Sequence, residues 1–304
     1  PKMTLRLALA GDTMLGRGVA DRLRADPRAA LVAPEVAELA QSADLFVLNL
    51  ECCISDRGKR FPDPGKPFFF RAPPVAAERL AELGVDAVTL ANNHALDYGP
   101  DALLDTIEHL DRVGIAHAGA GADETAARRP ARLPGLRLVA VGDHPAAFAA
   151  GPSRPGIAYA DLRGGEFPDW LLRAAAPAPD EPVLVSPHWG PNMLAEPLPA
   201  VRVAAQRIVA AGATLVAGHS AHVFQGVKGR VLFDLGDFID DYAIDRKLRN
   251  DLGLLWLVTL DATGPQRIET VPLRLDYCHT RLATGADAAW IARRFNELSE
   301  KLAN

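Results

Sequence analysis

The chain has 304 residues, of which 49% are hydrophobic and 23% charged, and its formal net charge at pH 7 is −5. This length and apolar fraction are enough for a substantial buried core, which excludes a disordered chain. The sequence has no Lys/Arg-rich run and no interleaving of basic and aromatic residues, so we expect no nucleic-acid partner. The longest apolar runs are strand-sized and fall short of the roughly 20 residues of a membrane span.

The first half of the chain predicts strands that alternate with helices. Residues 5–10 form an apolar run that ends in Gly11-Asp12, and a helical pattern follows. The next predicted elements are a helix over 34–40, a strand over 45–51, a helix over 75–83, a strand from Val88 and a helix from Pro100 to Gly114. Residues 55–74 are rich in Pro, Gly and charge, and we expect them to form an ordered loop over a site.

The second half repeats this alternation and then changes to hairpins. Predicted strands cover 136–141, 183–188 and 214–217, and an amphipathic helix covers 201–211. A hairpin turning at Lys228-Gly229, antiparallel strands over 254–260 and 267–275, and a helix over 287–302 complete the chain. Residues 145–182 are rich in Ala, Pro and Gly and predict either a lid or a surface insertion. The whole pattern favours one α/β sandwich domain over 1–304.

Polar side chains collect at the ends of these strands, where open α/β sheets bind their ligands. Five of the eight histidines lie there with carboxylate and amide residues. The set comprises His94, His144, His188, His219, His222, Asp12, Glu51, Asn93, Asp143 and Asp237. Imidazole, carboxylate and amide oxygen are together a ligand mixture for a divalent metal. We therefore expect a metal site, with Mn, Ca, Mg and Zn all open.

Six motifs in this set carry a family resemblance. They are Gly11-Asp12, Asn49-Leu-Glu51, Asn92-Asn-His94 with Asp97 and Gly99, His188-Trp-Gly190, Gly218-His219 with His222, and Leu235-Gly-Asp-Phe238. In this order they resemble the CapA-type (poly-γ-glutamate synthesis protein) branch of the calcineurin-like metallophosphoesterases. The resemblance implies a four-layer α/β/β/α sandwich with two central mixed sheets and a metal site at one edge. It implies metal ligation by Asp12, Asn93, His188 and His219, to which we add Glu51, and an acid role for His94.

The sequence departs from a two-metal phosphoesterase in three motifs. Met14 stands where such enzymes have the histidine of Asp-x-His, and Asn49-Leu-Glu51 replaces Gly-Asp-x-x-Asp. Gly-His-x-x-His, ending at His222, replaces Gly-His-x-His. Two ions that clamp a phosphate need a bridging carboxylate and several further ligands. We therefore expect one divalent metal ion and disfavour ordinary phosphatase activity.

Acid/base chemistry is the function that this ligand set favours. Candidate pairs are His94 with Asp97 or Asp12, and His219 or His222 with Asp237; the sequence leaves the pairing open. Two histidines on opposite faces of a Cα–H can epimerise it, while a metal stabilises charge on the carboxylate. The lasso-peptide C-terminal epimerases, which tailor ribosomal peptides (RiPPs), share the resemblance. We expect a metal-dependent peptide epimerase, an isomerase acting on a peptide or polyglutamyl-like substrate.

Two other functions remain open. The first is a metallophosphoesterase that hydrolyses a phosphate ester, and the second is a non-catalytic CapA-like protein of polymer assembly. For substrate binding we consider Trp189, Asn192, Arg71 and Phe69. Trp189 is equally suited to stacking on a substrate and to packing its own loop, whereas Arg71 or Lys66 would meet a carboxylate.

The cysteines and the start of the chain bear on location. Three cysteines, two of them adjacent, form no disulfide framework, so we interpret Cys52, Cys53 and Cys278 as reduced packing residues. The first strand begins almost at residue 1, and we expect no signal peptide or anchor and a cytoplasmic location.

Overall fold

A computed structural model describes residues 3–164 and 166–304. The strands are β1 (Leu5–Thr13), β2 (Leu45–Leu50), β3 (Cys53–Ile54), β4 (Arg71–Ala72), β5 (Ala87–Thr89), β6 (Ala116–Ala118), β7 (Ala120–Gly121), β8 (Ala131–Leu133), β9 (Leu136–Gly142), β10 (Gly156–Ile157), β11 (Val183–His188), β12 (Leu215–Ala217), β13 (Val227–Lys228), β14 (Val231–Leu232), β15 (Asp237–Ile239), β16 (Leu252–Asp261), β17 (Gly264–Asp276) and β18 (His279–Leu282). The helices are α1 (Arg17–Ala25), α2 (Pro34–Gln41), α3 (Val75–Leu83), α4 (Gly99–Arg112), α5 (Glu124–Arg128), α6 (Asp169–Ala175), α7 (Pro199–Ala211) and α8 (Gly285–Ala303), with a 3-10 turn at Ala146–Phe148.

Two mixed sheets form the centre of the molecule. The first has the order β18-β17-β16-β1-β2-β5-β6, with β15 also paired to β1. The second has the order β13-β14-β12-β11-β9-β8. In the first sheet β1, β2, β5 and β6 are parallel, and in the second β9, β11, β12 and β14 are parallel. The carboxyl ends of neighbouring parallel strands therefore meet at one edge of each sheet.

Alternating residues of the second sheet face two different cores. On β9, Leu138 and Ala140 belong to the core that contains the first sheet, whereas Val139 and Val141 belong to a core that contains residues of α6 and α7. Such alternation is what a strand buried on both faces requires. With α2 against β1 and β2 on the outer side, the layers run helix, sheet, sheet, helix, as predicted. That the whole chain forms a single domain stays a prediction.

Most element predictions agree with the structure. The helix predicted at 75–83 is α3, and the hairpin predicted at Lys228-Gly229 joins β13 to β14. Within 145–182, Leu171 and Ala175 of α6 are buried in the second core; a lid or a surface insertion for the stretch stays a prediction. Strand β18 had no clear alternating signal and was not predicted.

The thiols have the character expected of packing residues. Cys52, Cys53 and Cys278 are buried and unpaired, and burial raises the pKa of Cys52 to about 12 and that of Cys278 to about 11. A thiol that holds its proton this firmly is a poor nucleophile. Over the described residues, no helix combines the length and the apolar character needed to cross a membrane.

Candidate metal and acid/base site

The site lies where the carboxyl edges of the two sheets meet. The first sheet delivers Asp12 from β1, Glu51 just after β2, and Asp237 from β15, which pairs with Asp12 in register. The second sheet delivers His188 at the end of β11, and His219 forms a β-bridge with it after β12. These five strand-end residues therefore converge, as expected.

Asp12, His188 and His219 form a first group of potential ligands. One nitrogen or oxygen from each lies within 4.8 Å of the others. The Nδ1 atoms of the two imidazoles are 2.7 Å apart, and His188 Nε2 is 3.1 Å from Asn93 Oδ1. Burial, together with the neighbouring imidazole, lowers the pKa of His188 well below its usual value, and burial lowers that of His219 to about 4. Both rings are neutral near pH 7, which is the form that binds a metal.

Asp12, His222 and Asp237 form a second group with the same spacing. His222 Nδ1 lies 2.8 Å from Asp237 Oδ1 and 3.1 Å from Asp12 Oδ2. Burial alone would lower the pKa of His222, but the charges of Asp237 and Glu51 and the hydrogen bond with Asp12 raise it well above its usual value. This part of the site attracts positive charge strongly.

The environment of the Glu51 carboxylate indicates whether these residues fit a cation. Its side chain is fully buried, and neither carboxylate oxygen accepts a hydrogen bond within the described residues. Oε1 lies 3.5 Å from His188 Nε2 and Oε2 lies 3.9 Å from His222 Nδ1, so Glu51 stands between the two groups. Burial and the charge of Asp12 raise its pKa well above the usual value. A buried carboxylate without interaction partners lowers the stability of the fold, and a divalent cation would supply the missing partner.

The ligand set is fuller than the departures in sequence suggested. The two groups share Asp12, and Glu51 is close to a histidine of each. Met14, at the position of the missing histidine, is buried, and its Sδ accepts a hydrogen bond from the backbone N–H of Gly16. Asp237 contributes the additional carboxylate of the second group. These residues can hold a divalent ion; a single ion, as opposed to two, stays a prediction.

Polar residues behind Asp12 fix its orientation. Asn49 Nδ2 donates to Asp12 Oδ1 at 2.7 Å. Asn49 Oδ1 in turn accepts from Thr89 Oγ1 at 3.0 Å and from Asn92 Nδ2 at 3.1 Å. Such outer contacts hold a ligand in position for a metal. Thr89 lies inside an apolar run, and no feature of the sequence distinguishes it.

His94 and Asp97 form a dyad beside the metal ligands. His94 Nδ1 is 2.6 Å from Asp97 Oδ2, which also accepts from the backbone N–H of Phe70 at 2.8 Å. Lys66 Nζ pairs with Asp97 Oδ1 at 3.0 Å, and the Phe70 ring stacks on the imidazole with centroids 4.1 Å apart. Burial lowers the pKa of His94, an effect that Asp97 partly offsets. The His94 side chain is buried, with 8% of its area exposed, so Asp97 holds a neutral, oriented imidazole beside the metal ligands.

The structure resolves the histidine pairings that the sequence left open. His94 pairs with Asp97 rather than Asp12, and His222 pairs with Asp237. His219 instead lies 3.0 Å from Ser186 Oγ, in addition to its contact with His188. A catalytic role for His219 and for the pair of His222 with Asp237 stays a prediction, since the same atoms belong to the ligand groups.

A second histidine–aspartate pair was noted at a strand end but given no role. His144 Nδ1 is hydrogen-bonded to Asp143 at the end of β9, and Asp143 also pairs with Arg163 at 3.2 Å. The His144 ring lies 5.2 Å from that of His188, and its side chain is 27% exposed. His144 is therefore a partly exposed imidazole next to the potential metal ligand His188.

The four residues considered for substrate binding have different surroundings. Phe69 and Arg71 line a pocket of about 310 Å³, whose charged and tyrosyl side chains are Arg17, Asp21, Arg24, Arg60 and Tyr98. Asn192 is exposed in the loop after β11. Trp189 is only 3% exposed, and its Nε1 donates to the carbonyl of Phe233 at 3.0 Å. Its packing in the second core favours the packing alternative for this indole.

Gly11 allows β1 to approach β15, and we expect Gly11→Ala to disrupt the site. A Cβ at Gly11 would lie 1.8 Å from the carbonyl oxygen of Gly236, while the N–H of Asp12 donates to that same oxygen at 2.9 Å. The strands would have to separate, which moves Asp12 away from Asp237. We expect a loss of about 3 kcal/mol or more in the free energy of unfolding, measured by urea titration.

The matched control for this change is Gly65→Ala. A Cβ there would meet only the Asp63 side chain, at 3.3 Å. We expect this control to change the free energy of unfolding by no more than about 0.5 kcal/mol. Equal stability of the two variants would contradict the close approach of β1 to β15.

Comparison with known proteins identifies the family. Residues 6–242 match the profile of a family described as bacterial capsule synthesis protein PGA_cap. The chain belongs to the PGA_cap family. This confirms the CapA-type resemblance; membership of the lasso-peptide epimerase subgroup stays a prediction.

Several relatives have names that describe capsule or polymer synthesis. A probable polyglutamine synthesis accessory protein of Mycobacterium tuberculosis is 30% identical over 295 residues, covering 86% of this PGA_cap chain and 73% of the relative. A capsule biosynthesis protein CapA of Bacillus anthracis is 27% identical, covering 93% of this chain and 70% of the relative. A PGA biosynthesis protein CapA of Bacillus subtilis is 25% identical, covering 88% and 71%. None of these three names describes an epimerase.

Proposed function

We propose that this PGA_cap protein is a metal-dependent accessory enzyme of polyglutamate-type polymer synthesis that transfers a proton at a glutamyl Cα. The observation that carries the proposal is Glu51, a buried carboxylate without hydrogen-bond partners between two groups of potential metal ligands. The His94–Asp97 dyad supports the acid/base part, because it holds a neutral, oriented imidazole beside that centre.

The substrate class is supported by two independent features. The relatives are named for polyglutamine synthesis, for capsule biosynthesis and for PGA biosynthesis. The pocket lined by Phe69 and Arg71 contains four arginines and a single carboxylate, and guanidinium groups bind carboxylates well. Arg17 lines this pocket and its guanidinium lies 5.0 Å from the centre of the Phe70 ring, which stacks on His94, so the pocket lies next to the dyad.

The chain's own residues can perform the proton transfer. A divalent cation held by Asp12, Glu51, His188 and His219 would stabilise the negative charge that develops on a substrate carboxylate. His94, oriented through Nδ1 by Asp97, offers Nε2 to take the proton from Cα, and Asp97 stabilises the imidazolium that results. Return of a proton to the opposite face needs a second group, for which His144 with Asp143 is the candidate, since its ring lies 5.2 Å from that of His188.

Two other functions have support of their own. The two ligand groups that share Asp12 favour a metallophosphoesterase, because phosphate-ester hydrolysis commonly uses two ions. The accessory role named for the mycobacterial relative favours a non-catalytic protein of polymer assembly.

Two parallel incubations separate the three functions. The protein is loaded with Mn²⁺, Zn²⁺, Ca²⁺ or Mg²⁺ and incubated in D₂O with poly-γ-glutamate oligomers, and in parallel with an aryl phosphate. Proton transfer predicts deuterium at the glutamyl Cα without chain cleavage, and chelation should abolish it. Phosphate release without exchange would replace the proposal by the phosphoesterase. Metal binding without either reaction would leave the assembly protein.

A further inference from the structure

We propose that an arginine pocket at the opposite end of the second sheet is a separate binding site for a polycarboxylate chain. The pocket has a volume of about 580 Å³, within the range of ligand sites. Its charged residues are Arg128, Arg129, Arg132, Arg137 and Arg173, and Trp170, Pro130 and Pro177 form part of its wall. The identification of the polymer as polyglutamate rests on the proposed function, whereas the site itself rests on this geometry.

The pocket has more positive than negative charge. Glu181 pairs with Arg132 at 3.0 Å and with Arg137 at 2.9 Å, and Glu124 pairs with Arg128 at 3.3 Å. Among the described residues, the exposed Arg129 and Arg173 have no ion-pair partner. Five guanidinium groups thus face two carboxylates, on a chain whose net charge is −5. Such a chain repels a polyanion in general, so binding needs a local concentration of positive charge.

Arg137 is a wall residue of the pocket whose side chain is held in place by hydrogen bonds. The Arg137 side chain is largely buried, and its NH1 donates to the carbonyls of Ala174 at 3.0 Å and Ala176 at 2.7 Å, at the end of α6. The Arg128 guanidinium lies 5.4 Å from the centre of the Trp170 ring. Arg137 and Arg128 are thereby held in place, and Arg129, Arg132 and Arg173 line the same pocket and are exposed to a ligand.

The position of the pocket separates it from the metal site. Arg137 lies at the start of β9, and Asp143, which borders the metal site, follows its end. Seven residues of strand span roughly 20 Å, so one small ligand cannot reach both places. A flexible chain with a carboxylate on every residue could contact several guanidinium groups at once and continue beyond the pocket. A polycarboxylate fits these requirements.

The test measures binding of fluorescently labelled poly-γ-glutamate by anisotropy, with chelator present so that a metal contributes nothing. The pocket variant is Arg129→Gln, Arg132→Gln and Arg173→Gln combined. The matched control is Arg28→Gln, Arg267→Gln and Arg293→Gln combined, three exposed arginines outside the pocket. Both variants lower the net charge by the same amount. We expect the pocket variant to bind about tenfold to a hundredfold more weakly, and the control to bind nearly as wild type.

Three outcomes would overturn the proposal. Equal weakening of both variants would mean that general electrostatics governs binding, and unchanged binding by the pocket variant would place the polymer elsewhere. Tripolyphosphate that binds the pocket while poly-γ-glutamate does not would make it a phosphate site. Failure of the proposed function can be distinguished from failure of this site. Polymer binding at the arginine pocket should persist in Glu51→Gln, and it should persist even if the protein shows no deuterium exchange.

Discussion

Glu51→Gln is expected to abolish tight metal binding and at the same time to stabilise the metal-free protein. The amide keeps the size of the side chain but removes the buried charge between the two ligand groups. Outer contacts of a metal ligand commonly contribute about 10–100-fold to affinity, so loss of a direct carboxylate should cost at least about a hundredfold. Metal per chain, determined by elemental mass spectrometry after dialysis, should fall from stoichiometric to trace.

The stability effect has a defined pH dependence. The folded-state pKa of Glu51 is raised by burial and by Asp12. A carboxyl group with a raised folded pKa supports folding below its unfolded pKa and opposes it as the pH rises toward the folded pKa. The advantage of Glu51→Gln in the metal-free protein should therefore be small below about pH 4.5 and grow above it, reaching about 1–3 kcal/mol. Thermal unfolding with chelator, across this pH range, measures it.

Glu35→Gln is the control for this experiment, since it makes the same chemical change at an exposed position on α2. It should alter neither the metal content nor the pH dependence. A Glu51→Gln protein that retained its metal through dialysis would remove Glu51 from the ligand set. Two ions per wild-type chain would replace the expectation of one and strengthen the phosphoesterase.

The parts of the fold that could be predicted are those with a local signal. Helix α3 has helical periodicity between Pro74 and a glycine in the left-handed conformation at Gly84, and its predicted limits agree with the structure. The set of strand-end residues was also predictable, because parallel strands end at one edge whatever their order. The β18 strand was missed because its stability comes from pairing with β17 and not from its own pattern.

How well the residue pairings within the site could be predicted depended on the separation of the partners along the chain. His94 and Asp97 are three residues apart, so their contact was one of two alternatives from the start. The contacts of His222 with Asp12 and Asp237 depend on the pairing of β1 with β15, which the sequence does not specify. The arginine pocket depends likewise on the packing of α6 near α5 and β8. It could not be predicted from the sequence, because its arginines come from separate elements and form no long basic run. The cytoplasmic location stays a prediction.

His94→Gln is expected to reduce the deuterium exchange of the metal-loaded protein by about a hundredfold to ten-thousandfold. Glutamine can donate and accept hydrogen bonds but cannot hold the abstracted proton. His94 belongs to neither ligand group, so the variant should bind as much metal as wild type. Asp97→Asn should also slow exchange, because the amide no longer stabilises the imidazolium. The pH profile of exchange should shift in this variant, whereas a change to a merely structural residue would leave the profile in place.

His109→Gln provides the matched control, because it makes the same substitution on α4, outside the site. It should leave exchange unchanged. The metal content separates two explanations of a slow His94→Gln protein: a full complement of metal identifies His94 as the group that moves the proton, whereas lost metal would make it a support of the metal centre. Full exchange by His94→Gln would assign the base role to His144 or His222 instead, the other histidines of the site that have a carboxylate partner.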